Sequence, residues 1–252
     1  MTELLYLSDI DAAYVATFRG RVVALPPGGV VLDRTRFYPT GGGQPCDLGA
    51  LRRADGTTLT VTDVSKSGDS VIHRIGRKGT SGAGPALGEE VEGAIDWPRR
   101  HRHMRGHTLQ HLLSARIFAR TGRRTRKASM NAQGALLDVE GPWPDELTVA
   151  DLTEEIQRYV DAPRPVRVIH LPRAEYEKDP GARSGLVPLP PQVDPVRVVE
   201  IDAADRCPCG GTHLRSTGEI GGFQILPPTA LVGGDVRVAF TLDARAPPTP
   251  TG

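Results

Sequence analysis

The feature that most restricts what this chain can fold into is a change of periodicity at Trp97. Upstream, no helical period is sustained. The segments "RVVAL", "GVVLD", "LTVTDVSK", "SVIHRI" and "EVEGAIDW" are rich in β-branched residues, roughly alternate, and are separated by glycine and proline. Short strands at such intervals suit a small antiparallel β-barrel over residues 1–97, with Gly76 to Gly88 as a hairpin loop. Downstream the spacing becomes helical. "RGHTLQHLLSARIFART" carries Leu109, Leu112, Leu113, Ile117 and Phe118 on one stripe and stops at Gly122, and "TVADLTEEIQRYVD" repeats the pattern. Strand-like "GALLDVE", "PVRVIHL", "PVRVVEI" and "DVRVAFTL" surround these helices, so residues 98–243 should form an α+β domain with an antiparallel sheet. Residues 244–252, proline-rich, read as a disordered tail.

Composition narrows the functional classes. At 252 residues with 24% charged residues and a net charge of +1, the chain is neither an acidic disordered protein nor uniformly basic. A nucleic-acid partner would have to be met by a local patch. Cys46, Cys207 and Cys209 do not make a disulfide framework, no apolar run approaches ~20 residues, and the acidic N-terminus "MTELLYLSD" is no signal peptide. A cytoplasmic, membrane-free protein acting as a monomer is the expectation.

Three motifs carry chemistry. His107 and His111 sit four apart on the expected helix, so both imidazoles share a face, but position 108 is Thr where a zinc-protease helix has its Glu. Cys209 and His213 are four apart across Gly210 and Gly211, which permit a sharp turn. Two histidines from a helix with a cysteine and a histidine from a loop make a tetrahedral zinc set. A buried structural turn and a nucleophilic Cys/His pair are the competing readings, and Cys207 is an alternative to Cys209. "FYPTGGGQPCDLG" places three glycines after Thr40, but without the strand–helix context or Lys-Ser/Thr of a phosphate loop. Two basic runs bracket the histidine helix: Arg99, Arg100, Arg102 and Arg105 before it, and Arg123, Arg124, Arg126 and Lys127 after it. They have the form of a footprint for a phosphate backbone.

In this order, "FYPTGGGQPCDLG", "HTLQHLL" and "CPCGGTHLRSTGEIG" resemble the editing half of alanyl-tRNA synthetases, and most of all the free-standing trans-editing proteins of the AlaX type. The resemblance implies a translation-protein-like barrel followed by the editing domain common to threonyl- and alanyl-tRNA synthetases. It implies one Zn2+ held by His107, His111, Cys209 and His213, and an amino-acid pocket formed with Thr40, Gly41, Gly42, Gly43 and Thr108. The implied reaction is hydrolysis, in trans, of the ester joining serine, and in some members glycine, to the acceptor end of alanine tRNA. No general base follows from the residues. Deacylation of another tRNA, such as threonine tRNA carrying serine, and a non-catalytic RNA-binding module stapled by zinc are the alternatives.

Overall fold

The computed structural model describes residues 1–76, 84–131, 134–179 and 188–251. It is a mixed α+β protein that divides into two compact units. Most of the expected loop at Gly76–Gly88 lies outside the described residues. The first unit comprises Met1–Gly41, Pro45–His101 and the C-terminal stretch from Ala246; the second comprises Gly42–Gln44 and Arg102–Arg245.

The first unit holds β1 (Glu3–Leu4), β2 (Thr17–Ala24), β3 (Gly29–Leu32), β4 (Arg34–Thr35), β5 (Gly49–Arg53), β6 (Thr58–Ser67), β7 (Ser70–Ile75) and β8 (Glu90–Ile95). β1 and β4 pair in parallel. The other strands join in a closed ring, β2-β3-β7-β6-β5-β8, with β8 returning to β2. Alternation explains it: Phe18 and Val22 of β2, Leu59 and Val61 of β6, and Val91 and Ile95 of β8 all turn inward and join one core with Phe37 and Leu51. A register shift between Val61 and Asp63 resets the alternation of β6, so that Val64 also points in.

Helix α1 (Trp97–Thr121) starts twelve residues before Leu109, the first residue of the apolar stripe that the sequence displays. Asp96 caps it, its carboxylate accepting the Arg99 amide at 3.1 Å. Gly122, at φ 71°, ends it, with its amide donating to Phe118 O. The expectation that Arg99 to Arg105 precede the helix is therefore corrected: they are helical, and a turn of 100° per residue sends them to different faces. Of the stretch read as a tail, residues from Ala246 group with the first unit. The Pro248 carbonyl accepts from Trp97 Nε1 at 2.5 Å and the Thr251 amide donates to Tyr14 O at 3.0 Å. A proline-rich stretch keeps its carbonyls free for such bonds.

The second unit contains β9 (Thr125–Met130), β10 (Gly134–Val139), α2 (Val149–Asp161), β11 (Val166–Leu171), the single turn α3 (Arg173–Tyr176), β12 (Val196–Ile201), β13 (Asp205–Pro208), β14 (Phe223–Ile225), β15 (Thr229–Ala230) and β16 (Val236–Leu242). Among the described residues the one antiparallel sheet expected is two. One runs β14-β16-β10-β9 with β15 also on β16; the other is β11-β12-β13. A capping box between Thr148 and Asp151 starts α2. Among the described residues no helix is long and apolar enough to cross a membrane.

Candidate metal centre

Helix α1 and the loop after β13 bring His107, His111, Cys209 and His213 together, with their ligand atoms all within 4.8 Å of one another. His107 and His111 fall on one face because four residues advance about one turn. The loop doubles back at Gly210 and Gly211. Gly211 donates its amide to Cys209 Sγ at 3.3 Å, and a Cβ on Gly211 would collide with the His107 ring, so the position needs glycine for space. Cys209 Sγ lies 3.6 Å from His107 Nε2 and 3.4 Å from His213 Nε2.

Each imidazole is tied from behind through Nδ1. Gln44 Oε1 lies 2.9 Å from His107, Asp205 Oδ2 3.0 Å from His111, and Thr108 Oγ1 3.3 Å from His213. Three Nδ1 atoms bonded to oxygen, with the remaining ligand atoms close together beside one sulfur, is a donor set that could hold a metal ion, with partners behind the rings. The residues present fit the metal.

The electrostatics agree. Burial alone would raise the Cys209 thiol, but the charges of His107, His111 and His213 hold it well below its ordinary range. Burial works against a proton on His111, yet the Cys209 thiolate and the Asp205 carboxylate outweigh it and lift His111 to about 9. Burial, then the neighbouring His107, push His213 well down. A thiolate beside a protonated imidazole is the metal-free form of such a cluster, and a divalent cation would take the place of that proton.

Cys207 is separate from this set. It is buried on β13 and groups with His111 and Asp205, not with His107 and His213. Of the two cysteines, Cys209 is the one whose sulfur stands with all three histidines. Thr108, expected to line a pocket, is fully buried, and its hydroxyl is engaged by His213 and by the Leu214 amide at 3.1 Å. The same hydroxyl thus meets the His213 ring and the backbone beyond it. Thr40 is exposed in the first unit, accepting from the Cys46 amide at 3.1 Å, and Tyr38 donates to Gly41 O at 2.8 Å. Gly42 and Gly43 go with the second unit. There the Met130 amide donates to Gly43 O at 3.0 Å, and a Cβ on Gly43 would strike the Ala128 carbonyl.

The basic runs divide. Arg100 is fully buried, its guanidinium shared between Asp47 and the carbonyls of Ala13 and Arg36. Arg105 is buried against Ile220 O and Asp243. Neither reaches solvent, so both leave the expected phosphate footprint. Arg99 is half-buried with Nε on Cys46 O at 3.0 Å, and Arg123 is half-buried. Arg102, Arg124, Arg126 and Lys127 are exposed.

Gln44, Asp205 and Thr212 escaped the sequence reading. A signal existed for Asp205, since alternation along "DRCPC" puts it in phase with Cys207 and Cys209. Gln44 had none beyond its place after the glycines.

Comparison with known proteins gives a consistent result. The family described as tRNA synthetases class II (A) matches residues 12–99, and the threonyl and alanyl tRNA synthetase second additional domain matches residues 196–238, which include Cys209 and His213. An alanyl-tRNA editing protein AlaX-M from Saccharolobus solfataricus is 33% identical over 96% of this chain and 99% of its own length. Another AlaX-M, from Methanosarcina acetivorans, is 34% identical over 96% of this chain and 99% of its own. The alanine–tRNA ligase of Pyrobaculum aerophilum is 37% identical over 97% of this chain, which spans only 27% of that enzyme.

Proposed function

This chain belongs to the alanyl-tRNA editing proteins of the AlaX-M type, and we propose that it is a zinc-dependent hydrolase that removes serine, and glycine as a second substrate, from mischarged alanine tRNA in trans. The observation that carries the reading is the four-residue cluster of His107, His111, Cys209 and His213, in a chain that spans nearly the full length of relatives named for editing. The ring of strands in the first unit is, on this reading, a translation-protein-like barrel, and the protein acts in the cytoplasm on the acceptor end of the tRNA.

Bound zinc would supply Lewis acidity toward an ester carbonyl or toward water. The chain's own residues do the rest. His107, His111, Cys209 and His213 hold the ion; Gln44, Asp205 and Thr108 orient the rings that hold it. Four protein ligands alone close a tetrahedral site. Chemistry at the metal therefore needs a fifth position or the release of one ligand. Serine differs from alanine by one hydroxyl. A pocket with a polar partner for that hydroxyl leaves the partner unmatched by alanine, and such sites discriminate by up to ~10⁴-fold or more. Thr40, with Gly41, Gly42 and Gly43, is the proposed source of that partner. Thr40→Val should narrow serine over alanine without loss of metal. Arg102, Arg124, Arg126 and Lys127, being exposed, are proposed to meet the tRNA backbone.

The test is deacylation of alanine tRNA charged with serine, glycine or alanine, before and after metal removal by a chelator. Metal-dependent loss of serine with alanine spared is expected. Equal turnover of serine on threonine tRNA would move the substrate to that tRNA. Gel-shift binding without turnover on any of them would reduce the protein to a zinc-stapled binding module.

A further inference from the structure

The glycine segment that the sequence assigns to substrate ends in a side chain with a different task. Gln44 is fully buried, and its amide makes three contacts. Its Oε1 lies 3.2 Å from the Thr212 backbone nitrogen and 2.9 Å from His107 Nδ1, while its Nε2 lies 2.9 Å from Thr212 Oγ1. The two ends of a glutamine amide are ordinarily interchangeable to inspection. Here one partner settles them. A backbone N–H can only donate, so the Gln44 atom facing the Thr212 nitrogen must be the carbonyl oxygen. The other end is then the NH2, which donates to the Thr212 hydroxyl. His107 Nδ1 faces that same oxygen, so it must carry the ring proton. That leaves the lone pair on Nε2, the atom turned to Cys209 Sγ.

From this chain of constraints we infer that Gln44 is a positioning residue of the metal centre: it fixes His107 in the tautomer with the proton on Nδ1 and presents Nε2 to the ion. Thr212, next to the ligand His213, locks the amide with both its backbone and its hydroxyl. The same three residues thus link the chain at Gly42–Gln44 to the loop that carries Cys209 and His213, all inside the second unit. Asp205 acts on His111 in the same way, but through a charged acceptor that needs no such lock. The inference rests on the metal reading above, and its test separates the two.

Zinc affinity would be measured by competition with a chromophoric chelator for the parent protein, Gln44→Leu and Gln44→Glu, alongside thermal unfolding of the metal-free forms. The supporting shell of a metal site is typically worth about 10–100-fold in affinity. Gln44→Leu, which keeps the bulk and removes the acceptor, should lose that much. Gln44→Glu, which keeps an acceptor for both His107 and Thr212, should match or exceed the parent. A leucine variant that binds zinc like the parent overturns the inference. So does a glutamate variant that falls as far as the leucine one, because shape alone would then matter. Nitrogen-15 NMR of the His107 ring in the parent protein reads the tautomer directly, whether or not Gln44→Leu folds. A proton on Nδ1 is expected; a proton on Nε2 with Nδ1 bare overturns the assignment. A parent protein that binds no zinc would instead remove the metal reading, and the same ring spectrum would still decide the role of Gln44.

Discussion

Each unit buries histidine, and the two environments differ in one atom. In the first unit His73 is fully buried: its Nδ1 donates to the Val30 carbonyl at 3.3 Å, and its Nε2 lies 2.8 Å from the Thr35 hydroxyl. Thr35 Oγ1 already accepts the Phe37 amide at 3.1 Å, so it donates to Nε2 and every polar atom is matched. In the second unit Nδ1 is treated alike, bonded to Gln44, Asp205 or Thr108. The other nitrogens of His107 and His213, however, face a cysteine sulfur instead of a hydroxyl. Burial of a histidine is therefore no mark of function. What separates a satisfied core residue from a ligand is whether the second ring nitrogen meets a donor or a gathering of other lone pairs.

The strongest way to break this comparison is to delete one histidine from each. His111→Ala should abolish both stoichiometric zinc and deacylation, whereas His73→Gln should keep one zinc per chain. Metal analysis of the two purified variants, with single-turnover deacylation, decides it; zinc retained at full stoichiometry in His111→Ala would dissolve the four-ligand set.

Acid should separate them next. Burial pushes His73 down to about 4, against the small opposing pull of the Val30 carbonyl. An unfolded histidine takes up its proton near 6.5, so the unfolded chain binds more protons between those values. The contribution is intact above pH ~6.5 and is lost as pH falls toward ~4, by about 3 kcal/mol in all. Urea unfolding of the metal-free protein at a series of pH values should show that loss, and His73→Gln should flatten it.

The two hydroxyls give a smaller, symmetrical contrast. Thr35→Val should cost about 1–3 kcal/mol of stability and leave zinc affinity unchanged. Thr108→Val should weaken zinc by about tenfold at the low end of such supporting contacts. Paired unfolding and chelator-competition measurements would expose an exchange of these effects. Smallest of all, Thr148→Ala removes the capping box of α2 and should cost about 1 kcal/mol with both histidine sites untouched. A change in zinc affinity there would mean that the centre responds to general destabilisation.

Much of the frame is legible in the sequence, for a physical reason: half-buried strands print their alternation. Five strands of the ring and the apolar half of α1 follow from it. β5 does not, because Leu51 is its one fully buried side chain and gives no alternation to read. The first turns of α1 are hidden because, beside Trp97 and Met104, the residues they bury are Arg100, His101, His103 and Arg105, and two apolar residues seven apart make no stripe. β9 is masked by its own charges, Arg126 and Lys127. At the centre, the ligand types were visible as two pairs spaced by four. Their pairing with supporting partners was not, although Asp205 lies in phase with Cys207, since Gln44 and Asp205 stand 63 and 94 residues from the histidines they hold. Short-range pattern carries no record of such contacts.

The division of the chain has a consequence for anyone who would separate its halves. The polypeptide enters the second unit for Gly42–Gln44, returns to the first, and crosses again between His101 and Arg102. A fragment beginning at Arg102 would keep all four candidate ligands and still lack the amide that orients the first of them. The chemistry and the fold are thus partitioned along different lines: a cut between His101 and Arg102 separates the four ligands from the amide that orients one of them, and transplanting Arg102–Arg245 to another scaffold would leave that tripeptide behind.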